Sequence, residues 1–205
     1  MKARKLLRIG NKWRKCFFGN CEFFVFDDVY EPAEDSFMLA RSVQNVKGKL
    51  LDMGTGCGIV AISTKAHAVG VDISSIAVEN ARFNARINGK KCSFFVSDLF
   101  ENVGASFDCI AFNPPYLPTG EEDVVSGPID LAWNGGADGR KVIDRFIEEF
   151  PDYLNEGGCL YMVSSSLCDN EKTIRMLGKR GFACSIEDRF RAFFEEIVVI
   201  KAVRE

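Results

Sequence analysis

Short apolar runs alternate along this chain with stretches in which apolar residues recur every three or four positions. The runs Lys49–Met53, Ala66–Asp72, Ser93–Val96, Phe107–Phe112 and Cys159–Ser164 read as buried strands. Between them, Glu34–Val46 reads as a helix with Glu34 and Asp35 in its acidic first turn. The small apolar stretch Val60–Ala66 suits a helix packed on a sheet. A further helix starts after Ser74 or Ser75 as cap, runs to Asn88 and stops at Gly89. Val142, Ile143, Phe146, Ile147 and Phe150 mark one face of another, Asn170–Lys179 forms the last, and Phe182–Ile186 with Phe193–Val203 forms a closing strand pair.

This alternation predicts an α/β fold, a mostly parallel sheet with helices on both faces. Residues 117–138 show no period and are expected to form a long functional loop. Upstream, Cys16 and Cys21 flank Phe17-Phe18-Gly19-Asn20, which reads as a hairpin turn that could set the two cysteines across from each other. Two units are therefore expected: a basic hairpin extension over 1–28 and the main domain over 29–205.

Composition changes this picture little. The 205 residues suffice for one substantial core, with 47% apolar and 27% charged residues. A net charge of −3 argues against holding nucleic acid mainly through phosphate attraction. Lys2, Arg4, Lys5, Arg8, Lys12, Arg14 and Lys15 all precede the first acid, Glu22, so a nucleic-acid contact there is the exception to weigh against a solvated end segment. No apolar run is long enough for a bilayer, and Met1–Arg8 is not followed by signal-peptide features, so a cytoplasmic protein is expected. The eight cysteines lack zinc spacing and suit small buried hydrophobes, and no metal site is expected.

The chemistry should lie at the carboxyl ends of the strands, where ligands bind such sheets. The first strand ends in Asp52-Met53-Gly54-Thr55-Gly56-Cys57-Gly58. Gly54, Gly56 and Gly58 would let backbone approach a ligand, but the spacing is not the GxGxxG of dinucleotide sites. Asp72 ends the second strand and can accept both hydroxyl protons of a ribose; Asp98 after the third can accept from an adenine amino group, with Leu99 against the ring. The fourth ends in Asn113-Pro114-Pro115-Tyr116.

That tetrapeptide suits methyl transfer to a planar nitrogen, whose delocalised lone pair makes it a poor nucleophile. Two acceptors must hold its N–H protons so that the lone pair faces the methyl carbon. The Asn113 side-chain oxygen and the Pro114 carbonyl can be those acceptors, Pro115 holds Pro114 extended, and Tyr116 can lie flat on the substrate.

In combination these stretches resemble the class I methyltransferases, and within them the HemK-type glutamine methyltransferases of the archaeal and eukaryotic branch. Val29-Tyr30-Glu31-Pro32-Ala33-Glu34-Asp35-Ser36 and Ala132-Trp133-Asn134-Gly135-Gly136-Ala137-Asp138-Gly139-Arg140 are similar to two long segments of that branch. The resemblance implies a Rossmann-like seven-stranded sheet with an antiparallel C-terminal pair. It implies S-adenosylmethionine as cofactor, lined by Ser36, Asp52, Gly54, Asp72, Asp98, Leu99 and Asn113, with Trp133 near the substrate. It also implies methylation of the GGQ glutamine of a class 1 translation release factor, and a small zinc-binding activator subunit as partner. An adenine-N6 methyltransferase acting on DNA or RNA, a protein lysine methyltransferase, and a non-catalytic S-adenosylmethionine-binding subunit are the competing readings.

Overall fold

A computed structural model describes residues 13–120, 132–192 and 194–204. Two strands form a separate hairpin, β1 (Trp13–Phe18) and β2 (Cys21–Phe26). The main sheet holds β3 (Lys49–Met53), β4 (His67–Asp72), β5 (Ser93–Val96), β6 (Phe107–Phe112), β7 (Leu154–Ser165), β8 (Phe182–Arg191) and β9 (Glu196–Arg204). Their order is β5-β4-β3-β6-β7-β9-β8; β3 to β7 pair in parallel, and β9 runs antiparallel between β7 and β8. The seven-stranded, mostly parallel sheet with a closing antiparallel pair is thus present. The chain builds outward from β3 through β4 to β5, then returns to place β6 on the other flank of β3. That reversal leaves a crevice beyond the carboxyl ends of β3 and β6.

The strands that read as unbroken apolar runs are those covered from both sides. Leu50 and Leu51 on β3, Ile110 and Ala111 on β6, and Met162 and Val163 on β7 have no solvent exposure. The helices are α1 (Glu34–Ser42), α2 (Ile59–Ser63), α3 (Ser75–Ile87), α4 (Lys141–Glu149) and α5 (Asn170–Lys179). Ser74 caps α3 by accepting from the Ala77 N–H. Among the described residues no helix is long and apolar enough to cross a membrane.

Several boundaries differ from the sequence expectation, for tertiary reasons. α1 ends at Ser42 rather than Val46 because the next carbonyls are taken from outside the helix. The Thr64 hydroxyl donates to the Val43 carbonyl and the Lys65 N–H to that of Gln44. α2 likewise stops at Ser63, where Thr64 turns extended. β7 and β8 are longer than their apolar cores, because antiparallel pairing with β9 carries their polar ends along. Of the expected loop over 117–138, residues 121–131 lie outside the described residues, as do Phe193 and the basic positions before Trp13.

The hairpin turns on Gly19 and Asn20, with Gly19 at φ +56°, the left-handed first turn position that glycine occupies without a Cβ clash. The register sets Cys16 opposite Phe23 and Cys21 opposite Phe18, so the two cysteines are not across from each other. One face of the hairpin enters the core through fully buried Phe23 and Val25. Its free edge is closed by asparagines spaced four apart on α3. The N–H groups of Glu22, Phe24 and Phe26 donate to the side-chain oxygens of Asn88, Asn84 and Asn80 at 3.0, 2.9 and 3.0 Å. The amide nitrogens donate back, Asn88 to the Glu22 carbonyl at 2.7 Å and Asn80 and Asn84 to that of Phe24 at 2.7 and 2.9 Å. Four helical residues rise about 6 Å and two strand residues about 6.6 Å, so the helix presents amides at nearly the strand's own repeat.

Candidate active site

Beyond β3 and β6 lies a cavity of about 430 Å³, walled by the ends of β3 to β6, the segment leading into α1, the chain around Trp133 and one face of α4. Of the residues singled out by sequence, Ser36, Asp52, Gly54, Gly56, Asp72 and Asp98 all line it. Leu99, Asn113, Pro114, Pro115, Tyr116 and Trp133 do too. Gly58 does not. It sits at φ +86° before α2, and a Cβ there would meet Ile62 and Ala81 at 2.9 and 3.1 Å, so it allows α2 and α3 to pack closely rather than touching the cavity.

The turn after β3 is held from beneath. The Thr55 hydroxyl donates to the Asp52 carboxylate at 2.6 Å, and the Ala61 N–H of α2 donates to the same oxygen at 3.1 Å. Burial pushes the Asp52 carboxyl up to about 7, and these two donors resist the shift. Asp72 clamps the turn to β4: one oxygen accepts from the Gly56 N–H and the other from the Ser74 N–H, each at 2.9 Å. Burial raises the Asp72 carboxyl, opposed by those donors. A Cβ at Gly56, φ +54°, would meet open space, so this turn faces the cavity with bare backbone.

After β5, Asp98 pairs with Arg145 of α4 at 3.3 Å. Leu99 adopts φ +43°, a conformation rare outside glycine, asparagine and aspartate. Its carbonyl accepts from the buried Ser97 hydroxyl at 2.7 Å, and that hydroxyl accepts from the Asn102 N–H at 3.0 Å. Those local hydrogen bonds hold this strained conformation on the cavity wall.

The centre of the site is a carboxylate that sequence reading left at a helix terminus. Asp35 is 3% exposed, and one of its oxygens receives three donors: the Asn113 amide nitrogen at 3.0 Å, the Tyr30 hydroxyl at 3.1 Å and the Tyr116 hydroxyl at 3.2 Å. Its other oxygen accepts from the Ser36 N–H at 2.5 Å and the Ser36 hydroxyl at 3.1 Å. Burial, reinforced by the Asp35 charge, pushes both phenols well above the usual tyrosine range, so they stay protonated as donors. Tyr116 is thereby fixed by its hydroxyl in the cavity wall.

The carboxylate also fixes which way the Asn113 amide points. Only the amino end can face Asp35, because a carbonyl there would confront negative charge. Among the described residues, the Asn113 side-chain oxygen is left buried with no partner. A buried acceptor without a donor is costly, and its retention at a cavity wall marks a place for a donor from outside the fold. Asp35 and Tyr30 belong to the segment Val29–Ser36 that carried the family resemblance, but nothing local marked Asp35 as the shared acceptor of Asn113 and Tyr30. Arg145 had no sequence signal beyond its place on an amphipathic helix.

Comparison with known proteins bears on the whole chain. Residues 32–132 match the family described as methyltransferase small domain. A putative protein N5-glutamine methyltransferase of Methanocaldococcus jannaschii is 46% identical over 182 residues, covering 86% of this chain and 92% of that protein. Methyltransferase HEMK2 of Homo sapiens is 30% identical over 208 residues, covering 94% and 97%. Among solved structures, a chain of the E. cuniculi Mtq2–Trm112 complex, responsible for methylation of the eRF1 translation termination factor, superposes with a TM-score of 0.68. It shows 26% identity and covers 87% of this chain and 99% of that one.

Proposed function

The chain belongs to the HemK-type class I S-adenosylmethionine-dependent methyltransferases, in the protein N5-glutamine methyltransferase branch, and we propose that it methylates the side-chain amide nitrogen of the GGQ glutamine in a class 1 translation release factor. The observation that carries this reading is the unpartnered, buried side-chain oxygen of Asn113. It supplies the acceptor that a primary amide needs when one of its N–H bonds must be held still.

The residues present fit the cofactor. Asp72 would take the ribose hydroxyls, Asp98 and Leu99 the adenine, and the bare backbone at Gly54 and Gly56 the amino-acid end, with Ser36 beside Asn113. When bound, S-adenosylmethionine supplies an electrophilic methyl group on a cationic sulfur. The protein's own part is orientation. Asp35 holds the Asn113 amide nitrogen, so the Asn113 oxygen is pre-aimed and needs no reorganisation as charge develops on the substrate nitrogen. The Pro114 carbonyl would accept the second N–H proton. Tyr116, held through its hydroxyl, would form the wall beside the glutamine amide. Once methylated, the nitrogen is acidic enough to lose its proton to water, so no strong base is required.

An adenine amino group would suit the same two acceptors. Against a polyanionic substrate stands the charge around the cavity. Among the described residues, Asp28, Asp35 and Asp72 at the walls have no basic side chain within 4.0 Å. A partner subunit is part of the reading, by analogy with the Trm112 that accompanies Mtq2; that it is a small zinc-binding activator rests on the family resemblance alone. Val96, exposed on the edge strand β5, is the kind of apolar surface such a subunit covers. A cytoplasmic location follows from the same reading, since release factors act on cytoplasmic ribosomes.

The test is transfer of labelled methyl to purified release factor from the same organism, with the activator added, comparing wild-type factor with a GGQ-to-GGA form. Label on the wild-type factor alone is expected. Label on both forms, or on neither with cofactor still bound, would overturn the glutamine assignment.

A further inference from the structure

A strip of exposed apolar side chains leads away from the cavity mouth, and the chemistry assigned to the cavity does not use it. It begins at Leu117, which lines the cavity and is 36% exposed. Gly139 then sits wedged between the Tyr116 carbonyl and Cys168, with no room for a Cβ, so the chain at Tyr116–Leu117 and the turn Ser166–Cys168 are neighbours. That turn carries Leu167, 43% exposed. Beside it the hairpin joining β8 and β9 closes with the Ala192 N–H donating to the Glu195 carbonyl at 2.9 Å. The hairpin is tied to the turn: Ser165 donates to the Glu195 carboxylate at 2.6 Å, and the Glu196 N–H donates to the Ser166 hydroxyl at 3.0 Å. At its tip Phe194 is 93% exposed.

Two features suit this strip to a protein substrate. It begins at the cavity, and its turn and hairpin are hydrogen-bonded to each other. Beside the Arg189 and Arg191 pairs to Glu196 on the same hairpin, the junction holds one carboxylate without a cation. Glu195 lies close enough to Tyr30 and Tyr116 for its charge to add to the rise in both phenols, and among the described residues it has no basic side chain within salt-bridge distance. An unpaired carboxylate between an aromatic tip and a cavity mouth complements a basic residue on an incoming chain. A nearly fully exposed aromatic ring at such a rim is the type of side chain that dominates interface energetics once covered.

We propose that Leu117, Leu167 and Phe194, with Glu195 between the tip and the mouth, form the ledge that seats the polypeptide flanking the methylated glutamine. The occupant is a segment of the substrate protein offering an apolar side chain to Phe194 and a lysine or arginine to Glu195. This rests on the glutamine-methylation reading and adds to it the surface that selects a folded factor over any accessible glutamine. A ledge of this kind acts on capture of the factor and leaves the reacting atoms alone.

The experiment compares wild type, Phe194→Ala and Phe17→Ala in methylation of purified release factor, with cofactor affinity measured by calorimetry. Phe17 is a control ring, 64% exposed on β1 near the hairpin turn, whose Glu22 is tied to Asn88 at the end of α3 away from the cavity-lining cap Ser74. Phe194→Ala is expected to raise KM for the factor by about tenfold or more, with kcat and cofactor affinity unchanged, while Phe17→Ala keeps the wild-type KM. An unchanged KM in Phe194→Ala, or an equal rise in Phe17→Ala, overturns the ledge while the glutamine assignment stands. A wild-type enzyme that leaves the factor unlabelled overturns both.

Discussion

Asparagines do opposite work in two parts of this molecule. On α3, Asn80, Asn84 and Asn88 have both ends of their amides engaged by the backbone of β2, and Asn84 adds a bond to the Cys57 carbonyl at 2.8 Å. At the end of β6, Asn113 has its nitrogen engaged by Asp35 and its oxygen by none of the described residues. The first set is closed on itself and serves the scaffold. The second is closed at one end only, and the open end faces a cavity. For a buried polar residue, the balance of satisfied and unsatisfied atoms separates architecture from chemistry more sharply than residue type does.

The comparison breaks most decisively at one asparagine from each region. Asn113→Ala should lower kcat about a thousandfold, the scale of losing a pre-aimed acceptor, while melting temperature and cofactor affinity stay near wild type. A kcat within tenfold of wild type would remove Asn113 from the chemistry. Asn84→Ala should do the reverse. It strands the Phe24 N–H and leaves the Cys57 carbonyl without this donor, so stability should fall by about 3 kcal/mol in chemical denaturation with kcat preserved below the transition. Equal stability would mean the ladder is ornamental.

Asp35→Asn sharpens the distinction between aiming an acceptor and being one. Loss of the carboxylate frees the Asn113 amide to rotate and loosens Tyr30 and Tyr116, so kcat should drop about a hundredfold with KM little changed. An effect confined to KM would assign Asp35 to binding instead.

The smallest effect concerns Asp52, whose folded carboxyl titrates near 7 against an ordinary value of 3.8. A carboxyl raised on folding favours the protonated folded state. Its stabilising contribution is therefore complete below pH 4 and is lost as pH rises through 7. Between pH 5.5 and 7.5 wild type should lose about 2 kcal/mol relative to Asp52→Asn. Parallel stability curves for the two proteins would show that the carboxyl is ionised throughout.

Much of the fold was legible because its signals are local. Buried parallel strands must be apolar on both faces, so β3, β4 and β6 stood out as runs, with β4 starting one residue late. β5 was read as buried too but is an edge strand exposed at Ser93 and Val96. The residues just past all four marked the strand ends that ring the cavity. Where an element ends on a contact with a distant segment, the pattern overran. α1 was read to Val46 because its own sequence cannot show that Thr64 and Lys65 claim its last carbonyls. Gly58 looked like its neighbours in the glycine turn, although the space around it is filled by α3.

By itself, then, the sequence determined an α/β sheet, the strand ends that ring the cavity, and the place of Asn113–Tyr116 on its wall. Those follow from side-chain polarity and spacing over a few residues. The tertiary structure alone decided that Asp35 meets Asn113 across 78 positions, and that α3 completes the edge of β2 across 54 to 66. It also decided that Glu195 comes near enough to Tyr116 for its charge to act on the phenol. Spacing along a chain fixes which face a residue presents, whereas a hydrogen-bond partner is fixed only when two distant faces are brought into register.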